Sequence, residues 1–195
     1  MIIRLTAPAP SLVDALREER ASALVQVLSI AGFALLTAAA AQVRLYVWEV
    51  PFTLQTLVVF GSGLFLGWRN GMLAQLLYLA MGLFLPVFAG DGYGLGYLLA
   101  AVSAGYLFAY PLTAAVVGWL SKRWNSLTGS TVSMMAGSLI FFASGVIWLH
   151  FVAGHATWME SIDKGFLRFI PIDLAKILLV SMLYTGSRRM RGRSE

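Results

Sequence analysis

Three observations make the sequence that of an all-α integral membrane protein, a bundle of six transmembrane helices. Of its 195 residues, 59% are hydrophobic and only 12% charged, with a mean hydropathy of +0.78; an average soluble domain has roughly a quarter charged residues. So little polar surface does not cover a globule in water, whereas a face turned to lipid needs no such cover. Six apolar stretches, five of them uncharged, approach the about 20 residues that carry a helix through hydrocarbon. Basic residues lie between those stretches and fall unequally on the two sides.

A cytoplasmic leader, 1–21, comes first. Within it 11–20 reads as a short amphipathic helix anchored at the membrane face, Ser11 and Asp14 having capping-box spacing. The first span, 22–42, exceeds the about 7 to 15 apolar residues of a cleavable signal core, so it reads as retained despite the small residues Ala38, Ala39 and Ala40. The second and third spans, 51–68 and 71–90, are parted only by Arg69 and Asn70, which predicts a tight reversal there. The fourth lies within 92–121, too long for one crossing, so its glycine-rich start reads as loop and the helix begins near Leu95, with Pro111 able to kink it. The fifth lies within 126–151, and the sixth, 169–187, differs in carrying Asp173 and Lys176 inside it. The membrane domain is thus 22–187, followed by a basic cytoplasmic tail, 188–195. Ten lysines and arginines fall on the side of the termini and three, Arg44, Lys164 and Arg168, on the other, which places both termini in the cytoplasm and the chain in the inner (plasma) membrane.

Several function classes fall away. The net charge of +5 and pI of 9.8 are spread between apolar runs rather than gathered on one face, so nucleic acid is not the partner. Without cysteine there is no disulfide, thiolate nucleophile or iron-sulfur ligation. None of the three lysines follows a glycine, so no phosphate-binding P-loop exists, and the stretch 90–96 misses G-x-G-x-x-G in every register and reads as an outer loop. His150 and His155 suit the outer interface beside Trp148 and Trp158 better than a metal site. With no G-x-S-x-G elbow either, the chain is not expected to be an enzyme or to hold a cofactor.

The informative residues are polar ones in apolar surroundings. A charge near the centre of a membrane helix costs about 2.5–3.5 kcal/mol on insertion scales, so Asp173 and Lys176 need partners or a cavity. They are three apart, on one face and able to pair. Two readings stand: a capping carboxylate behind Pro171 with its counter-ion, or a ligand site. Threading the spans from inside to outside brings Gln55, Tyr97, Asp173 and Lys176 to the same outer end, walled by Phe52, Trp48 and Trp148. Such a pocket suits a small, partly apolar acid with hydrogen-bonding groups at its other end. Small residues at four-residue spacing, Gly63, Gly67 and Gly71, and Ala34 and Ala38 on the first span, allow close packing; the alanine stripe also suits docking of another membrane subunit.

Together these residues resemble the BioY family, the biotin-specific S components of energy-coupling-factor (ECF) transporters. The resemblance runs from about Ala34 to Leu183. It rests on Ala41-Gln42 followed by Val50-Pro51-Phe52-Thr53-Leu54-Gln55-Thr56, on Leu85-Pro86-Val87-Phe88-Ala89-Gly90, Gly94-Leu95-Gly96-Tyr97-Leu98 and Gly105-Tyr106-Leu107, and on Phe169-Ile170-Pro171 with Asp173 and Lys176. Departures occur at Ile172, where the family usually has Gly, and at Val102-Ser103-Ala104, where it has Pro-Thr. The resemblance implies a non-catalytic, six-helix S-component bundle that captures biotin from outside and delivers it inward with a transmembrane coupling subunit and two ATPase subunits. It implies Ala34 and Ala38 as the docking face, Asp173 for the ureido N–H groups, Lys176 or Arg44 for the valerate carboxylate, and Gln55, Tyr97, Tyr106 and Phe52 in support. A stand-alone carrier for biotin or another small carboxylate, and a membrane enzyme using Asp173 or His150, are the competing readings.

Overall fold

Gly67 sets the architecture. In the computed structural model, which describes residues 12–17, 20–46, 49–90, 92–124 and 126–189, helix α3 (Gln55–Gly82) leaves helical geometry at Gly67, with φ 79° and ψ 179°. Those angles are open to glycine and strained for other residues. The chain doubles back there: Gln55 Nε2 donates to Tyr78 Oη at 2.7 Å and Gln75 Nε2 to Ser62 Oγ at 3.1 Å, though a straight helix would part Gln55 from Tyr78 by about 35 Å. α3 is therefore a helical hairpin with arms 55–66 and 68–82. The reversal falls two residues before the expected one, because Arg69 and Asn70 are already helical and buried Asn70 donates to Gln26 Oε1 at 3.3 Å.

The other long helices surround this hairpin. They are α2 (Ala23–Gln42), α5 (Ala104–Arg123), α6 (Leu127–Ala153) and α8 (Ile170–Arg189), with short helices α1 (Leu12–Arg17), α4 (Gly94–Ala100) and α7 (Trp158–Gly165) at the ends. A two-stranded ribbon pairs β1 (Arg44–Leu45) with β2 (Phe52–Thr53), Arg44 opposite Thr53. Among the described residues four helices, α2, α3, α5 and α6, are long and apolar enough to cross a membrane. α8, with its internal charges and basic end, falls outside that set, and each arm of α3 is shorter than about 20 residues.

Helix starts follow the capping residues. Ser22 and Ser126 accept from the amides of Val25 and Gly129, opening α2 and α6. The fourth expected span divides: α4 takes up Gly94, Leu95 and Gly96, read as loop and helix start from sequence, and α5 begins only at Ala104. Ala101 is extended (ψ 134°), and its carbonyl accepts from Trp148 Nε1 at 2.9 Å as well as from the Ala104 amide at 3.0 Å. α5 continues through Pro111 to Arg123.

The leader helix does more than lie on the membrane face. Buried Leu16 packs against α3, and Arg17 inserts among the Leu64 carbonyl, Ser121 Oγ (3.2 Å) and the Tyr184 ring (5.4 Å to its centroid), while Asp14 pairs with Arg188 at 3.0 Å. Ser11, the proposed cap, and the tail beyond Arg189 lie outside the described residues. The alanine stripe faces inward. Ala34 is fully buried and Ala38 nearly so, in one core cluster with Val59 and Tyr78. Their small side chains let α2 approach the hairpin, and the outward face of α2 is Leu24, Val27, Leu28, Leu35 and Leu36.

Candidate binding site

Periodicity puts the charges of α8 inside. Ile177, Val180 and Tyr184 form its buried stripe, and Asp173 extends the same stripe one turn toward the helix start. Ile172, Leu174, Leu178, Leu179 and Met182 are exposed. Asp173 and Lys176 accordingly face a pocket at the end of the bundle where the β-ribbon, α4 and α7 lie. The empty space between its lining residues, open mouth included, is about 580 Å³.

The two charges do not close on each other. Asp173, 6% exposed, accepts at Oδ2 from Ser138 Oγ of α6 at 2.5 Å. Lys176 Nζ donates to the Thr53 carbonyl at 2.6 Å and to Thr56 Oγ1 at 2.9 Å. Among the described residues they form no ion pair, and Asp173 caps no backbone amide. The pairing expected from their spacing is replaced because each finds a neutral partner on a facing element.

The neutral candidates gather around them. Gln55, 3% exposed, links Tyr78 to Thr53, whose hydroxyl donates to Gln55 Oε1 at 2.9 Å. Tyr97 donates to the Ala89 carbonyl at 3.1 Å and stacks on Phe88 with ring centroids 5.3 Å apart. Tyr106 donates to the Gly165 carbonyl at 2.7 Å, its ring lying where a side chain at Gly145 would sit. Gln55, Tyr97 and Tyr106 all line the pocket with Asp173 and Lys176.

Other candidates lie elsewhere. Phe52 is buried behind Phe169, ring centroids 4.3 Å apart, and it is Phe169 that meets the pocket. Trp148 turns away to the Ala101 carbonyl and the Phe108 ring and walls nothing. Arg44 stands on the rim ribbon, bonded to Gln42 Oε1 at 2.6 Å, outside the lining. Trp48 lies outside the described residues. The walls are instead Tyr110, Phe141, Phe142 and Phe169, with Thr53, Thr56 and Ser103 as further polar groups. Nothing in the sequence set these aromatics apart from the others; Thr53 and Thr56 flank Gln55 and were within reach of the same reasoning.

Beside the mouth, Glu49 ties the rim to α7. It accepts from His155 Nε2 at 2.8 Å and Lys164 Nζ at 2.7 Å, and His155 and His150 both bond Ser161 Oγ through Nδ1. The Lys164 hydrogen bond, aided by His155, holds the Glu49 carboxylate below its ordinary pKa of 4.5 against the opposing effect of burial. Val50 and Pro51, next in sequence, line the pocket.

Comparison with known proteins bears on the family and the fold. The sequence profile of the BioY family matches residues 15–193. A probable biotin transporter BioY from Lysinibacillus sphaericus is 35% identical over 179 residues, covering 86% of this chain and 90% of that protein. The biotin transporter BioY of Thermotoga maritima is 33% identical over 159 residues, covering 81% and 92%. In fold, the chain matches a crystal structure of the S-component for biotin from an ECF-type ABC transporter with a TM-score of 0.77, at 23% identity over 85% of this chain and 92% of that one.

Proposed function

The chain belongs to the BioY family, and on that footing we propose that it is the biotin-capturing membrane subunit of an ECF-type uptake system. The observation that carries this is the pocket itself: an aromatic-walled space whose polar groups are one carboxylate, one ammonium and neutral donors and acceptors. Biotin has a ureido ring that both donates and accepts, an apolar chain and a terminal acid, and each part finds a counterpart here.

Asp173 accepts from the ureido N–H groups. Lys176 lies one turn away, too close to Asp173 to meet the far end of an extended ligand, so it donates to the ureido carbonyl. Arg44, on the rim and opposite Thr53, then takes the valerate carboxylate as it reaches the mouth. The six crossings are α2, the two arms of α3, α5, α6 and α8. Both termini are cytoplasmic in the plasma membrane, with the pocket outward, as the imbalance of basic residues favours. A transmembrane coupling subunit meets the lipid-facing side of α2, which has the least buried of the apolar spans, and two ATPase subunits supply the nucleotide chemistry for which this sequence has no motif.

Isothermal titration of biotin into the detergent-purified chain, beside desthiobiotin and riboflavin, tests the reading. Saturable one-to-one binding selective for biotin is expected; no binding by a folded, monodisperse sample would overturn it. Biotin methyl ester sorts the carboxylate partner. If Arg44 holds the acid, Arg44→Met abolishes the preference for biotin over its ester and Lys176→Met retains it; the reverse pattern assigns the acid to Lys176.

A further inference from the structure

The hydroxyl of Ser138 is set apart from its neighbours on α6 by the charge of its acceptor. In the long helices a serine or threonine hydroxyl usually returns to a carbonyl of its own helix, as Thr131 does to Leu127 (2.9 Å), Ser133 to Gly129 (2.7 Å) and Thr37 to Phe33 (2.8 Å). Some hydroxyls of α6 also cross to a facing helix, Ser144 to the Gly105 carbonyl of α5 (2.7 Å) and Thr131 to Ser181 of α8 (2.9 Å); Ser138 crosses to α8 as well, but it donates to a carboxylate, Asp173 Oδ2. Both residues are buried, and Asp173 Oδ1 has no hydrogen-bond partner among the described residues. Thr56, at the start of α3, does the corresponding task for Lys176, its hydroxyl accepting from Nζ beside the Thr53 carbonyl.

We propose that Ser138 is a positioning residue of the binding site: by holding one oxygen of Asp173 it keeps carboxylate and ammonium apart and leaves the other oxygen ready for a ligand's N–H. An acid and an ammonium one turn apart in an apolar interior attract strongly and, left to themselves, close into a pair. A ligand would then have to break that pair before using either group. Anchoring each charge on a neutral hydroxyl removes that penalty, because a serine O–H satisfies the carboxylate without neutralising it. Thr56 acts on the opposite charge in the same way. The site is thereby matched to a group that donates and accepts side by side, and preorganised for it. This assignment rests on the biotin reading above and concerns how the site is held rather than what it binds.

The experiment is titration of biotin into the purified full chain carrying Ser138→Ala, Ser138→Thr, Asp173→Asn, or Ser138→Ala together with Asp173→Asn, each checked for a monodisperse elution profile. Ser138→Ala should weaken biotin on the order of 10-fold, the scale of one hydrogen bond to a charged group. Ser138→Thr, which keeps the hydroxyl, should recover most of that loss. In the Asp173→Asn background the alanine change should add less than about twofold, since Ser138 acts through Asp173. Unchanged affinity in Ser138→Ala, a threonine variant no better than alanine, or a full second loss in the double variant would each overturn the proposal. If Ser138→Ala does not fold, the Ser138→Thr affinity and the pair Ser138→Thr/Asp173→Asn decide it by the same additivity. A parent chain that fails to bind biotin at all sinks the underlying reading, and is distinguished from failure of this inference, in which the parent binds.

Discussion

The seam between α3 and α5 and the seam between α6 and α8 are built from opposite materials. Along the first, backbones touch. A Cβ at Gly63 would strike the Ala114 carbonyl, one at Gly118 the backbone of Trp68, and a side chain at Gly137 would press on Val117 and Thr113 where α6 joins the same stack. Along the second, a hydroxyl and a carboxylate meet at 2.5 Å while an apolar groove lined by Met135, Leu139 and Leu174 runs beside them. In lipid there is little hydrophobic drive to join helices, so close packing of small residues carries association. The glycine seam supplies the rigidity, and the polar seam, relieved of that task, is free to keep a space beside its charges.

The largest test of this contrast is Gly118→Leu, which forces a side chain into a backbone contact. It is expected to cost more than about 3 kcal/mol and to leave no monodisperse protein in detergent; size-exclusion chromatography with a thermal melt reads it. Asp173→Asn, on the other seam, should elute and melt like the parent yet bind biotin on the order of 100-fold more weakly, an amide keeping the shape but losing a charge-assisted bond. Equal damage to folding by both changes would erase the distinction.

A smaller effect is expected away from both seams. Arg17→Ala removes the contacts with Leu64, Ser121 and Tyr184 at the far end of the bundle. Stability should fall by roughly 1–3 kcal/mol while the biotin Kd stays unchanged, as a melt and a titration on one sample would establish. The smallest concerns Glu49. With its folded-state pKa lowered, its bonds to Lys164 and His155 are present above the ordinary value of 4.5 and are lost as pH falls through the lowered one. Biotin release measured by stopped flow should therefore quicken only on acidification below that range, and in Glu49→Gln should be fast and flat across it. Because Glu49 is 40% exposed, the stability at stake is within about 0.5 kcal/mol.

Much of this was legible in the sequence, for reasons that particular residues show. Asp173 and Lys176 stood out because a charge in an apolar helix is costly wherever it is placed, so its presence signals a role before any fold is known. Gln55 and Tyr97 were reachable because an even count of reversals sends their segments to one end, and Tyr106 through the family resemblance. The break at Ala101 was not legible: its carbonyl is met by Trp148, which is 47 residues away in sequence. Arg44 and Trp148 sit at the expected end yet point elsewhere, since topology fixes height in the bundle but not the direction of a side chain. Ser138 looked like any other serine of α6, and only the position of α8 separates it from Ser130 and Ser133. The alanine stripe is similar, small spacing marking a close approach without saying to what.

The carbonyl of Thr53 belongs at once to the rim ribbon, where its residue pairs with Arg44, and to the ammonium of Lys176 on the pocket floor. Floor and rim therefore share one bond. On the proposed assignment, a ureido carbonyl that took a hydrogen bond from Lys176 would loosen the hold on the main chain of β2, and by reciprocity any change that stiffens β2 would alter how readily the ammonium is given up. Occupancy would thus write itself into the ribbon: a fluorophore or spin label at exposed Leu45, which touches no ligand, would report whether the vitamin is aboard.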